Sequence, residues 1–204
     1  MKVEEPDLAG TYTYADYLTW LWDERVELIK GKIYKMSPAP NSLHQRISMK
    51  FGLQIGNYLK RKKCQVFVAP FDVRLPKSLP VGQAGKKKGN QYIDTVVQPD
   101  LCVICDLSKI DEAGCLGAPD WIIEILSPHT SAKDLSKKFD IYEKSKVKEY
   151  WVVHPVEGTI LVFTLNAKGK YESRPKPYIR TDKLASVTVP GLVIDLEEVF
   201  PESI

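Results

Sequence analysis

The sequence predicts a single α/β (α+β) domain, with a mixed central β-sheet flanked by helices and additional hairpins toward both ends. Three observations predict it. The 204-residue chain is 44% hydrophobic and can bury one sizeable core, so residues 1–204 are read as one domain. An apolar stripe of helical period follows residue 41 and precedes several short strand-like runs. A second helical segment, from about Ser131 to Ser145, then leads back into a strand, EYWVVHP. Strands with helices before and after them make a mixed sheet the natural architecture.

The elements follow in order. Residues 11–23 (TYTYADYLTWLWD) predict a short helix with Thr13 as N-cap and Tyr17, Leu18 and Leu21 on one side. VELIKGKIYKM is two apolar runs joined across Lys30-Gly31, the pattern of a hairpin. SPAPNS is a loop that offers Asn41 or Ser42 as the cap of a longer helix. In that helix Leu43, Ile47, Phe51, Ile55 and Leu59 recur every fourth residue and face the core. It ends in KRKK, where cations suit a helix C-terminus. Three strand-like segments come next: QVFVAPFDVRLP, YIDTVVQ and PDLCVICD. The Gly- and Lys-rich stretch KSLPVGQAGKKKGNQ between the first two reads as an exposed loop. WIIEIL, GTILVFTLN and further hairpin-like pieces complete the chain.

Composition narrows the function classes. The 29 basic and 26 acidic residues nearly cancel to +3, a balance that neither demands nor excludes nucleic acid. No apolar run reaches membrane-spanning length and the residues after Met1 carry no apolar signal core, so a cytoplasmic protein with no membrane partner is expected. Cys102 and Cys105 have the spacing of half a zinc site. They lie in an evident strand, however, where residues three apart point to opposite faces and cannot share a metal. All four cysteines, Cys64, Cys102, Cys105 and Cys115, read as buried free thiols.

Acids that interrupt apolar strands carry the chemistry. Asp100 opens LCVIC and Glu124 interrupts WIIEIL. If the two strands are neighbours, the carboxylates meet at one sheet edge. Two unit charges about 4 Å apart repel by roughly 4 kcal/mol at an effective dielectric of 20. A divalent cation relieves that cost, and hard oxygen ligands favour Mg²⁺ or Mn²⁺, with Ca²⁺ also suited. On the following helix Asp134, Lys138 and Tyr142 share one face, whereas Phe139 points elsewhere. Lys138 can therefore reach toward the carboxylate pair, where a lysine can orient a nucleophile or stabilise charge on a phosphate. Other readings stand beside these: Asp100 as a turn cap after Pro99, a buried Glu124–Arg74 pair, and Lys138 as a solvated surface lysine.

The runs VVQPDLCVICD and APDWIIEILSPHTSAKDLSKKFDIYEKSKVKEYWVVHP closely resemble the Uma2 family, also called DUF820, which is assigned to the PD-(D/E)XK nuclease-like superfamily. The resemblance extends upstream to VELIKGKIYKMSPAPNSLHQRIS and FDVRLP, and downstream to PGLVIDLEEVF. It implies a restriction-endonuclease-like core and a Mg²⁺- or Mn²⁺-dependent endonuclease acting on DNA, with Asp100 and Glu124 as metal ligands. The superfamily lysine stands two residues after the glutamate, a position held here by Leu126. In Uma2-like sequences a lysine commonly follows on the next helix, four residues after an aspartate, and Lys138 after Asp134 fits; Lys137 competes, one helical step away.

The resemblance also makes Glu27 a candidate third carboxylate, against a strand-surface ion pair. His44 becomes a candidate for proton transfer or phosphate contact, against a histidine hydrogen-bonded near a helix start. Lys86, Lys87 and Lys88 are either a solubilising loop or a phosphate clamp. Trp121, Tyr150 and Trp151 read as core rather than as base-stacking platforms. A homodimer would bring two single-cut sites to opposite strands, though no residue indicates one. The competing functions are a nuclease-fold module that binds nucleic acid without cutting it, favoured by Leu126 and the low net charge, and a structural or regulatory protein whose acids form ion pairs.

Overall fold

A computed structural model describes residues 7–21, 24–36, 40–77, 89–127 and 132–200, with side chains in the last segment described from residue 135. The first element, α1, is a single turn, Tyr14–Tyr17. The expected helix over 11–23 is thus shorter, and Trp22 and Asp23 lie outside the described residues. Asp16 closes the turn by accepting from the Thr13 N–H and hydroxyl. Tyr14 is the residue that faces the core, while Leu18 and Leu21 stay exposed. Aromatic and threonine-rich sequence has weak helix propensity, and the turn packs through Tyr14 and Tyr17 rather than through the leucines that would have extended it.

The hairpin forms as expected. β1 (Val26–Ile29) and β2 (Lys32–Lys35) pair across Lys30 and Gly31, both in the left-handed region at φ 50° and 78°. α2 spans Ser42–Leu59, and Asn41 is its cap, accepting from the His44 N–H at 2.9 Å. Ile47, Phe51, Ile55 and Leu59 are buried along one stripe. QVFVAPFDVRLP divides into β3 (Gln65–Val68) and β4 (Val73–Pro76), which join different sheets. Pro70 lies between them, where a residue without an N–H cannot extend a ladder.

β5 (Ile93–Val97) and β6 (Leu101–Ile104) follow, then a small hairpin of β7 (Ile110–Asp111) and β8 (Gly114–Leu116) that no sequence signal announced. β9 (Trp121–Ile125) is buried at every position. α3 (Ala132–Lys144) connects it to β10 (Glu149–His154), and β11 (Thr159–Leu165), β12 (Tyr171–Ser173) and β13 (Tyr178–Ile179) extend that sheet. β14 (Lys183–Ala185), β15 (Val193–Asp195) and the turn α4 (Leu196–Val199) end the described chain.

Among the described residues the strands form two large mixed sheets and one small hairpin. One sheet runs β2-β1-β5-β4-β8-β7; the other runs β12-β11-β10-β9-β6-β3, with β13 also on β11. β10 and β9 are parallel neighbours, as a helical crossover through α3 requires. The second sheet is covered on both faces. Trp121, Ile123, Trp151 and Val153 pack with α2 and the C-terminal elements on one face, while Ile122, Tyr150 and Val152 pack with α3 residues on the other. Trp121, Tyr150 and Trp151 are fully buried core, as read from the sequence.

Cys102 and Cys105 do face opposite sides, but not all the cysteines are free thiols. Cys64 and Cys105 form a disulfide across the β3–β6 ladder, while Cys102 and Cys115 are free and buried. The signal was cross-strand register, not spacing: Gln65 pairs with Ile104, which sets Cys64 beside Cys105. Among the described residues no helix is long and apolar enough to cross a membrane.

Candidate active site

Strand register brings the two motif acids together. β6 and β9 are antiparallel neighbours with Leu101 opposite Ile123, so Asp100 and Glu124 are adjacent at the ends of two central strands. Asp100 is fixed there because Oδ2 accepts from the Ile125 N–H at 2.7 Å. The turn-cap reading of Asp100 is replaced by this cross-strand bond. On its other oxygen, Oδ1 lies 3.2 Å from His44 Nε2. His44 is the third residue of α2, and the Asn41 cap fixes that first turn. Burial works against its protonation. The hydrogen bond and charge of Asp100 oppose it, with the Ile125 backbone and Glu124 also contributing, and raise His44 above the ordinary histidine value.

Glu124 is 7% exposed and engages a cation and a hydroxyl through one oxygen. Lys138 Nζ lies 3.0 Å from Glu124 Oε1, and the Tyr142 hydroxyl donates to the same oxygen at 2.6 Å. Lys138 and Tyr142 come from one face of α3, as the four-residue spacing predicts. Glu27, from β1, meets the same lysine: Lys138 Nζ to Glu27 Oε1 is 3.0 Å, and the Gln98 N–H donates to that oxygen at 2.9 Å. Glu27 is therefore a buried partner of the central lysine and not a strand-surface ion pair. Among the described residues no hydrogen bond reaches Oε2 of either glutamate.

The electrostatics follow from burying two acids around one ammonium, with Asp100 beside one of them. Burial pushes the Glu124 carboxyl up to about 7, with the charges of Asp100 and Glu27 adding to the rise and Lys138 and Tyr142 opposing it. For Lys138, burial disfavours the charge, but Glu124 and Glu27 outweigh it and hold the ammonium above the usual lysine range. Burial, then the nearby carboxylates, keep the Tyr142 hydroxyl protonated.

These groups line an open cavity of about 360 Å³ whose wall includes Glu27, His44, Gln98, Asp100, Glu124 and Lys138. Arg25, Lys35 and Lys137 add positive charge to its lining. Lys137 does not reach the acids; its Nζ lies over the Tyr34 ring at 4.1 Å. Leu126 lines the same cavity and presents no cation there. Arg74 is not the partner of Glu124, because it pairs with Asp111 and lies over Tyr14. The side chain of Asp134, and Lys86, Lys87 and Lys88 altogether, lie outside the described residues.

The sequence missed Gln98 and gave Tyr142 no role. Gln98 stands two residues before Asp100, bonding Glu27 through its backbone and Asp72 and Arg25 through its amide. Its only sequence signal was its place just ahead of the motif aspartate.

The donor set suits a hard divalent cation. Among the described residues no three His, Cys, Asp or Glu side chains form a metal-binding group. Mg²⁺, however, needs only one or two carboxylates beside water and phosphate oxygens. Asp100 and Glu124 fit that pattern, with Glu124 Oε2 left open.

Fold and site together define a mixed-sheet α+β domain whose acids and lysine converge beside two central strand ends. The Uma2 family, described as "Putative restriction endonuclease", matches residues 14–197, and the chain belongs to that family. A crystal structure from Anabaena variabilis ATCC 29413, described as a putative nuclease belonging to DUF820, shares the fold. Its TM-score is 0.68 at 23% identity, over 93% of this chain and 97% of that one. An uncharacterized protein of Synechocystis sp., slr1290, is 23% identical over 159 residues, 76% of this chain and 75% of its own length.

Proposed function

We propose that the protein is a Mg²⁺- or Mn²⁺-dependent endonuclease that hydrolyses DNA phosphodiester bonds. One observation carries this reading: Lys138 is held between Glu27 and Glu124, on the register neighbour of Asp100, in the wall of an open cavity. The family description, restriction endonuclease, favours DNA as substrate.

Asp100 and Glu124 would hold the metal ion, which polarises a phosphoryl oxygen and lowers the pKa of bound water. Lys138, fixed by two carboxylates, would orient the attacking water and stabilise charge on the phosphate. His44, hydrogen-bonded to Asp100, holds that carboxylate in place and is the accessory group for proton movement. Arg25, Lys35 and Lys137 supply positive charge for the phosphate backbone.

Purified protein incubated with plasmid and Mg²⁺ tests the reading beside Asp100→Ala and Lys138→Ala. Cleavage is expected from the wild type alone; cleavage that survives both substitutions sinks it. The alternative is a nuclease-fold module that binds nucleic acid without cutting. It is favoured by Leu126 at the superfamily's lysine position. That module would bind DNA in a salt-sensitive manner and leave it intact with every divalent metal.

A further inference from the structure

We propose that Tyr142 is a positioning residue that holds Glu124 Oε1 beside Lys138 and thereby leaves Oε2 as the oxygen offered to the cavity. The inference rests on the metal-site reading above and assigns a role to a side chain that reading does not use.

Three observations carry it. First, both donors converge on one oxygen: Lys138 Nζ at 3.0 Å and the Tyr142 hydroxyl at 2.6 Å both meet Oε1. A carboxylate held by two donors on the same oxygen has lost the freedom to exchange its oxygens. A metal ligand needs that fixed presentation, and outer partners of ligating carboxylates commonly supply it. Second, Tyr142 cannot easily move. It is fully buried, and its ring meets Tyr150 edge-on with centroids 5.1 Å apart. Third, the hydroxyl has Glu124 as its acceptor, so the bond is one-directional: tyrosine donates and carboxylate accepts.

Tyr150 is a matched control within the same cluster. It is equally buried in the same core cluster, yet among the described residues its hydroxyl has no hydrogen-bond partner. Removing that oxygen changes ring chemistry and packing as much as removing the Tyr142 oxygen does, without touching Glu124.

The experiment compares Mn²⁺ binding by calorimetry for wild type, Tyr142→Phe and Tyr150→Phe, with thermal unfolding of each. Tyr142→Phe is expected to weaken Mn²⁺ about tenfold, the usual consequence of losing an outer partner of a ligand. Tyr150→Phe is expected to bind as the wild type does. With DNA, Tyr142→Phe should lower kcat and leave KM nearly unchanged, since the hydroxyl does not face the substrate. Equal Mn²⁺ affinity in wild type and Tyr142→Phe overturns the proposal, as does an equal loss in both variants, which would make the effect one of packing. Should Tyr142→Phe fail to fold, Tyr142→His, with a ring nitrogen able to donate, must recover part of the affinity or the proposal falls. A wild type that binds Mn²⁺ with this pattern but cuts no DNA sinks the nuclease reading and leaves the role of Tyr142 standing. A wild type that binds no Mn²⁺ overturns both.

Discussion

Glu124 and Glu149 are buried glutamates on adjacent parallel strands, and they face opposite sides of the sheet. Glu149 is fully buried and uses both oxygens. Oε1 accepts from Trp151 Nε1 at 2.8 Å and the Val187 N–H at 3.3 Å; Oε2 accepts from Ser186 Oγ at 2.7 Å and the Thr188 N–H at 2.9 Å. Its donors are all neutral, and it pins the loop that joins β14 to β15 onto the sheet. Glu124 uses one oxygen, takes a cation as partner and borders a cavity. Burial of an acid in a strand therefore does not mark a site. An acid with an oxygen to spare, beside open space, is what makes Glu124 the candidate.

The largest expected effect comes from removing the cation on the functional face. Lys138→Met leaves Glu27 and Glu124 buried without their shared ammonium, and a broken buried pair of this kind costs about 3–5 kcal/mol. Part of that cost should disappear when Glu124→Gln is added, because one of the two uncompensated charges goes with it while Glu27 stays. Urea unfolding of the two single variants and the double variant measures the coupling; additive costs would mean that lysine and glutamate do not interact.

Next is the structural face. In Glu149→Gln one oxygen becomes an NH₂ group. Whichever way the amide turns, it confronts a backbone N–H, from Val187 or from Thr188. A buried donor left unsatisfied costs about 2 kcal/mol. In Glu124→Gln the NH₂ can turn to the cavity and leave Oε1 with its two donors, so no such penalty is expected at neutral pH. Equal losses in the two glutamine variants would erase the distinction between them.

The sequence showed the functional face better than the structural one, for a physical reason. Glu124 stood out because it broke an apolar run, and its partners lay on a helix with readable four-residue spacing. Glu149 opens its strand beside Lys148, where an acid looks like an ordinary strand end. Three of its four donors, Ser186 to Thr188, are 37 or more residues away, and nothing local encodes that contact. The disulfide was hidden in the same way, since it depends on a register known only after pairing. So did the division of the strands between two sheets, because periodicity describes a strand and not its neighbour. The shortened first helix was misread in the opposite sense: a plausible cap was present, but the leucines expected on its inner side, Leu18 and Leu21, are exposed.

The most gradual expected effect is a slope in pH, and it belongs to Glu124. Its folded-state pKa is raised to about 7 from an ordinary 4.5, mainly by burial. Between those values the folded protein holds a proton that the unfolded chain releases, so the contribution of this group to stability falls as pH rises through the window. His44, also raised, acts in the same direction: its contribution is complete below its unfolded pKa and is lost as pH rises through the folded value. Both therefore make the wild type less stable at pH 8 than at pH 5. Glu124→Gln removes the first component and retains the second, so the stability of the variant relative to the wild type should grow from pH 5 to pH 7.5. The change stays below about 1.4 kcal/mol per pH unit, the ceiling for one proton. Urea midpoints at half-unit intervals would show it. A constant difference across the window would mean that Glu124 titrates alike in the folded and unfolded states.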